Sequence, residues 1–233
     1  MKKVLYVMYQ PYKWLIFAPY LAASTIFFGS LTVVLVVVTN PRITSFVCGK
    51  IWSRLNGYLT PMWVSVSGKE NVDPRQSYVI VSNHQSHYDI FVLYGWLPVD
   101  FKWVMKQELR KVPGIGIGCE KVGHIFIDRS NHEKALASLE AAKAKIINGT
   151  SVIFFPEGTR SRDGRMRPFK KGAFKMALDL GLPLLPVTIN GSKNILPSRA
   201  TRLFPGRVRM VIHPHIPTDG VTEETIQDLM DRT

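Results

Sequence analysis

The sequence predicts an α/β fold, with one α/β domain behind an N-terminal, membrane-inserted helical segment. Short apolar runs rich in β-branched residues alternate with stretches of helical periodicity, which is typical of an α/β domain. The 233 residues are enough for one sizeable core. From Trp14 to Pro41 no residue is charged. We therefore expect residues 1–60 to form the membrane-associated segment and residues 61–233 the α/β domain.

The charge-free run is long enough to insert into a bilayer. As a helix, about 25 residues would extend roughly 37 Å, against about 30 Å of hydrocarbon. A cleaved signal peptide would need a shorter apolar core and a small-residue cleavage site, which the sequence does not show. Basic residues stand on both sides of the run, namely Lys2, Lys3, Lys13, Arg42, Lys50 and Arg54. The positive-inside bias is therefore nearly flat, and a single span, a helical hairpin and shallow insertion all stay open.

The next stretch, Ile51 to Trp63, has aromatic and leucine residues at helical spacing. An interfacial helix and an ordinary core helix both fit this pattern. Val64 to Val66 alternates as a short strand, and Asp73-Pro74 marks a turn.

A strand, a polar turn and a helix follow between Tyr78 and Gly95. Tyr78 to Val81 is a buried-type strand, and Ser86 is a plausible helix cap. His84 then lies on the turn, and Asp89 lies in the first turns of the helix. This spacing lets the carboxylate hold one imidazole nitrogen and leave the other as a base. No serine or cysteine nucleophile stands beside it, so we expect the base to activate a substrate hydroxyl directly.

The polar turn could also be structural, or it could bind a metal. A histidine and an aspartate five residues apart occur by chance in many proteins, and His84 could simply cap a helix. His84, His87 and Asp89 could bind a metal, but no further cluster with ligand spacing supports a metal site. We expect no metal.

Further strands and helices alternate after Gly95. Phe101 to Met105 is a predicted strand, and Lys106 to Leu109 begins a short helix. The glycines that follow make a poor dinucleotide fingerprint, because they come after a helical stretch. His124 to Arg129 is strand-like, and Ser130 with Glu133 predicts a capping box that opens a helix.

A basic loop follows the predicted strand Ser151 to Phe155. It begins with Pro156 to Thr159, and from Arg160 to Lys171 it carries six basic residues against a single acid, Asp163. Its position at the carboxyl end of a strand, beside a glycine, favours ligand binding over a merely solvated loop. The remaining predicted elements are a helix from Gly172 to Gly181, strands Leu184–Asn190 and Val208–Ile212, and a helix from Thr222 with Glu223 and Glu224 in its first turn.

The net charge indicates which class of partner to expect, and the cysteine content indicates the compartment. The chain has 30 basic and 17 acidic residues, a net charge of +13, which indicates an anionic partner. Because of the membrane segment we expect that partner to be a lipid and not a nucleic acid. Cys48 and Cys119 give no disulfide framework, which favours a reduced, cytosol-facing domain.

Four sequence blocks, in order, resemble the glycerolipid acyltransferase family. Asn83 to Asp89 is similar to its NHxSxxD block, and Lys106 to Leu109 with Pro113 and Gly116 to its KxEL…PxxG stretch. Gly123 to Arg129 resembles G-x-I-F-I-D-R, and Phe155 to Ser161 resembles FPEGTRS. The proline-containing strand at Leu185 to Val187 is also similar. The resemblance covers about residues 60 to 190 and implies a single mixed-sheet acyltransferase-like domain.

The resemblance implies an activity and assigns roles to residues. An acyl group would pass from acyl-CoA or acyl-carrier protein to the sn-2 hydroxyl of 1-acyl-sn-glycerol 3-phosphate, giving phosphatidic acid, with His84 as base and Asp89 orienting it. No cofactor is implied. The family pattern assigns the substrate phosphate site to Arg129, Glu157, Gly158, Thr159 and Arg160, with Lys106 as a further candidate. Glu157 would instead orient a basic residue if its charge repels phosphate.

Two other classes of function stay open from the sequence. One is an acyltransferase for another acceptor, such as glycerol 3-phosphate or a different lysophospholipid. The other is a non-catalytic, membrane-tethered basic module that binds anionic lipid or nucleic acid. We expect the protein at the inner membrane, with its active domain on the cytoplasmic side.

Overall fold

The computed structural model describes residues 2–128, 130–146, 148–161, 164–198 and 201–233. Its strands are β1 (Met62–Ser67), β2 (Val79–Ser82), β3 (Asp100–Lys106), β4 (Ile125–Ile127), β5 (Thr150–Phe154), β6 (Leu184–Asn190) and β7 (Gly206–Ile212). Its α-helices are α1 (Lys2–Tyr12), α2 (Ala18–Val38), α3 (Pro41–Leu59), α4 (Tyr88–Trp96), α5 (Gly116–Lys121), α6 (His132–Ala142), α7 (Gly172–Leu180), α8 (Ser192–Ile195) and α9 (Ile226–Arg232). A π-helical turn, Lys13–Phe17, joins α1 to α2.

The strands form one seven-stranded sheet in the order β1-β7-β6-β2-β5-β3-β4. Every neighbouring pair is parallel except β6 and β7, where Val187 pairs with Ile212 in antiparallel register. The predicted single mixed sheet is therefore confirmed. Because β7 reverses direction and β1 follows it, the first residues of these two strands lie at the same end of the sheet as the carboxyl end of β2.

Two apolar clusters cover the two faces of the sheet. On one face α4 and residues of β1, β2, β6 and β7 form the larger cluster, against which α3 and the N-terminal helices also pack. On the other face α6, α7 and α9 cover β2 to β6, with Phe174 and Leu184 completely buried. The strand predictions around Tyr78, Phe101, Ser151, Leu184 and Val208 agree with the observed strands to within about two residues.

The prediction of a helix from Ile51 to Trp63 is wrong at both ends, because the observed helix α3 covers Pro41–Leu59. It begins at Pro41, because the Asn40 side chain accepts a hydrogen bond from the Ile43 N–H at 2.9 Å and proline suits the first helical turn. Trp63 belongs to β1 instead. Helix α3 packs against both α2 and α4, so the N-terminal helices form a layer on one face of the domain.

Two predicted helix starts are also wrong. The capping box of Ser130 and Glu133 is not formed, because the side chain of Asn131 accepts from the Lys134 N–H at 3.0 Å. In the tail, α9 begins only at Ile226, so Glu223 and Glu224 lie before its first turn. A turn closed by the Thr222 N–H and the Thr225 hydroxyl at 3.0 Å precedes it.

Candidate active site

The turn after β2 holds a histidine and an aspartate in direct contact. His84 Nδ1 lies 2.8 Å from Oδ2 of Asp89, which belongs to the first turn of α4. The same oxygen accepts the backbone N–H of Gln85 at 2.8 Å and of Ser86 at 2.9 Å, and Asp89 is completely buried. A carboxylate can only accept here, so the proton between the pair belongs to Nδ1. Nε2 is then the unprotonated nitrogen of the neutral ring.

The imidazole of His84 is held on its face by Phe155. The two rings stack with centroids 3.8 Å apart and planes inclined by 10°. Within the described residues no hydrogen bond uses Nε2, and the His84 side chain keeps 13% of its surface exposed. A fixed ring with one open nitrogen is the geometry that a general base requires. Phe155 was not among the predicted site residues, because the pairing of β5 with β2 that brings its ring to His84 is not contained in any local sequence pattern.

The backbone of the turn is fixed from the next strands along the sheet. Glu157 Oε1 accepts the His84 N–H at 2.8 Å, and Oε2 accepts the Arg167 N–H at 3.0 Å. The Ser161 N–H donates to the His84 carbonyl at 2.8 Å. On the other side Asn83 pairs with the Ile189 backbone, through its amide nitrogen at 2.9 Å and its oxygen at 2.7 Å. The turn is therefore clamped from both β5 and β6.

The loop after β5 brings Gly158, Thr159 and Arg160 to the same end of the sheet as His84. Lys170 adds a further cation, because its side chain lies against Gly158. Partial burial and, next, the positive charge of Arg160 lower the pKa of His87, the residue that directly precedes α4, to about 4. Glu157 is almost fully buried, and both carboxylate oxygens accept backbone N–H groups.

Two further residues were predicted for the phosphate site, Lys106 and Arg129. Lys106 ends β3, two strands away from β2, and its Nζ lies 2.5 Å from Glu108 Oε1. The prediction for Arg129 falls outside the described residues. Over the described ranges, no group of three histidine, cysteine, aspartate or glutamate side chains is arranged to hold a metal ion.

Comparison with known proteins places the chain in a family. A family model described as Acyltransferase matches residues 63–190, more than half of the 233 residues and all of the clamped turn. The chain belongs to the Acyltransferase family. The resemblance seen in the four sequence blocks is thereby confirmed.

Curated relatives of this acyltransferase-family chain carry specific names. Human 1-acyl-sn-glycerol-3-phosphate acyltransferase alpha is 34% identical over 176 residues, which is 75% of this chain and 62% of that protein. The chloroplastic 1-acyl-sn-glycerol-3-phosphate acyltransferase BAT2 of Brassica napus is 33% identical over 196 residues, 79% of this chain and 56% of that protein. The chain thus spans about six tenths of the length of these curated relatives.

A solved structure matches the whole chain. The crystal structure of the 1-acyl-sn-glycerophosphate acyltransferase PlsC from Thermotoga maritima superposes with a TM-score of 0.81 at 27% identity. The match covers 100% of this chain and 94% of that one, so it includes the N-terminal helices as well as the sheet.

Proposed function

We propose that this protein transfers a fatty acyl group from acyl-CoA or acyl-carrier protein to the sn-2 hydroxyl of 1-acyl-sn-glycerol 3-phosphate, giving phosphatidic acid. The observation that carries the proposal is the His84–Asp89 pair with an open Nε2 and a stacked ring. The names of the relatives support the acceptor, and the fold alone would not.

The transfer uses Nε2 of His84, the ring nitrogen that the Asp89 contact leaves open. Nε2 takes the proton of the acceptor hydroxyl as its oxygen attacks the thioester carbonyl, and Asp89 stabilises the imidazolium that forms. The tetrahedral intermediate then collapses with cleavage of the C–S bond, and His84 returns the proton to the leaving sulfur. One C–O bond forms and one C–S bond breaks. No acyl-enzyme is needed.

The acceptor phosphate is held by the loop after β5. Arg160 suits a phosphate because its guanidinium donates in a bidentate manner, and Gly158 and Thr159 let the backbone approach. We keep Lys106 and Arg129 as further phosphate ligands. The buried contacts of Glu157 support a different role, in which the carboxylate holds the His84 backbone and the basic loop together.

Residues 1–60 are proposed to hold the catalytic domain, residues 61–233, at the cytoplasmic face of the inner membrane. The helical run Val7–Val38 is long and apolar enough to cross a bilayer, and only 11% of its most apolar window is buried in the protein. Helix α3 adds an exposed apolar stripe at nearly every fourth residue: Ile43, Val47, Ile51, Leu55 and Tyr58.

The contacts of α2 favour shallow insertion over a perpendicular span. Gly29 packs directly on the backbone of Gly114, and a Cβ on Gly29 would overlap with that carbonyl oxygen. A helix held against the domain along its middle cannot also be surrounded by lipid on all sides. We infer that α2 and α3 lie in one leaflet with their exposed apolar faces toward the acyl chains.

An acyl-transfer assay tests the proposed function. Purified protein is given radiolabelled acyl-CoA or acyl-carrier protein with a panel of acceptors, including lysophosphatidate, glycerol 3-phosphate and other lysophospholipids. We expect turnover with lysophosphatidate, and a loss on the order of 10²- to 10⁴-fold in His84→Ala. Asp89→Asn should also lose activity, because an amide can stabilise the wrong tautomer. Near-wild-type turnover of His84→Ala would show that the base is another group.

A further inference from the structure

In the described part of the chain, no helix covers the outer face of β1 and β7. On this face lie Trp63 and Ser65 of β1 and Arg207 and Arg209 of β7, while the alternate residues of both strands face the core. The apolar cluster built by α6, α7 and α9 contains no residue of either strand. Parallel strands are normally covered on both faces, so this bare patch requires an explanation.

The patch forms a shallow, open depression. Its residues line an open groove of about 510 Å³, and Asn190 and Gly191 line it where β6 ends. Gly191 has φ of 97°, and a Cβ there would overlap with the Arg207 carbonyl oxygen, so only glycine lets the chain pass this close to β7. A groove of this volume fits a small-molecule ligand.

The groove combines one exposed aromatic ring with two arginine side chains. Trp63 pairs in register with Arg207, and Ser65 pairs with Arg209, so the indole and both guanidinium groups stand on one face. Trp63 is 60% exposed. Over the described residues neither arginine has a carboxylate partner. An exposed aromatic ring stacks on a purine base, and arginines bind phosphate groups bidentately.

The groove opens at the catalytic end of the sheet. Arg209 pairs with Asn190 in the antiparallel β6–β7 ladder, and the preceding residue, Ile189, is bonded to Asn83 next to His84. From β1 to β2 there are three strand steps, about 14 Å at 4.8 Å per step, and because the groove faces away from α4 the connection to His84 passes over this end of the sheet. A pantetheine arm, as long as about five extended residues, reaches roughly 17 Å. A nucleotide in the groove could therefore present its thioester to His84.

We propose that this groove binds the adenosine 3′-phosphate 5′-diphosphate half of acyl-CoA, with the base on Trp63 and phosphates on Arg207 and Arg209. The inference rests on the proposed acyl transfer and adds the place where the CoA donor is held. It also separates the two donors, because an acyl-carrier protein has no adenine nucleotide to place there.

Binding is tested without turnover. Calorimetry on the full-length, detergent-solubilised chain measures Kd for CoA, with ATP as competitor. We expect Trp63→Ser and Arg207→Gln/Arg209→Gln each to raise Kd by about tenfold or more, and Trp63→Phe to retain binding because it still stacks. Lys69→Gln/Lys145→Gln, at the opposite end of the sheet, is the charge-matched control and should bind like wild type. Unchanged CoA binding in the groove variants, or equal binding of ATP, would overturn the proposal.

Kinetics then separate this inference from the proposed function. Trp63→Ser should raise the KM for acyl-CoA about tenfold and leave the KM for acyl-pantetheine, which lacks the nucleotide, unchanged. Equal effects on both donors, together with weaker binding to anionic vesicles, would assign the patch to the membrane surface and refute the nucleotide site. If the chain is not an acyltransferase, neither donor turns over, but CoA binding still reports on the groove.

Discussion

Replacing Glu157 by glutamine separates a positioning role from a phosphate-binding role. The carboxylate accepts N–H groups from His84 and Arg167 at 2.8 and 3.0 Å and is 4% exposed. Glutamine keeps one oxygen and turns an NH₂ group toward the other N–H, so one contact becomes donor against donor. Hydrogen bonds to a charged group contribute about 1.5–3 kcal/mol each. We expect the free energy of unfolding to fall by about 2 kcal/mol.

That loss should appear in both stability and turnover. For a chain of this length 1 kcal/mol lowers Tm by about 2–4 °C, so Glu157→Gln should melt about 4–8 °C lower in detergent. Because the His84 backbone loses its anchor, kcat should fall by about 10- to 100-fold with every acceptor. Glu224→Gln, an exposed site before α9, is the matched control and should change neither quantity.

The acceptor panel decides between the two roles of Glu157. A residue that acts on the phosphate would change the KM of lysophosphatidate and leave Tm and kcat almost intact. If Glu157→Gln melts like wild type and alters only that KM, the reasoning from its two backbone contacts is wrong.

Three further predictions concern Arg160 in the loop after β5, the proposed membrane contact of α2 and α3, and the buried residue His124. Arg160→Ala should raise the KM for lysophosphatidate more than the KM for acyl-CoA, and an equal rise for both would indicate a structural role. Full-length protein should stay with membranes through a carbonate wash, and Ile51→Lys in the α3 stripe should make it easier to extract; release of the wild type by salt alone would exclude insertion. Burial and, next, the charges of Lys102 and Lys145 lower the pKa of His124 to about 3. Between about pH 6.5 and 3 the unfolded state therefore binds a proton that the folded state does not, so the free energy of unfolding should fall as the pH drops through that window. His124→Gln should make the free energy of unfolding, measured by denaturation at a series of pH values, depend less steeply on pH.

Local patterns in the sequence predicted what depends on local structure. The strand Leu184–Asn190 was found residue for residue, because its apolar run is bounded by turn residues on both sides. The His84–Asp89 contact was also predictable, since a turn and one helical turn bring the two side chains together. In contrast, the starts of α3 at Pro41 and of α6 at His132 depend on which neighbouring polar residue caps the helix, Asn40 and Asn131 in these cases, and the sequence offers more than one candidate.

Contacts between distant parts of the chain were out of reach. The Phe155 ring on His84, the Asn83 clamp on Ile189 and the backbone contacts of Glu157 all join segments far apart in sequence. They exist because β2 lies between β5 and β6, an order that no local pattern contains. The bare face of β1 and β7 has the same origin, as it depends on which strands the second helical layer reaches.

The strand order also places the two proposed substrates on opposite sides of the base. The phosphate loop follows β5 on one side of β2, and the groove of Trp63 lies across β6 and β7 on the other. Because β7 runs antiparallel to β6, the loop after β5 and the groove lie at the same end of the sheet. The acceptor hydroxyl and the donor thioester can therefore approach His84 from two directions. Variants more than about 10 Å apart with no shared contact act additively. We therefore expect the double variant Arg160→Ala/Trp63→Ser to show the product of the two single effects on kcat/KM, whereas marked departure from that product would mean that donor and acceptor share one site.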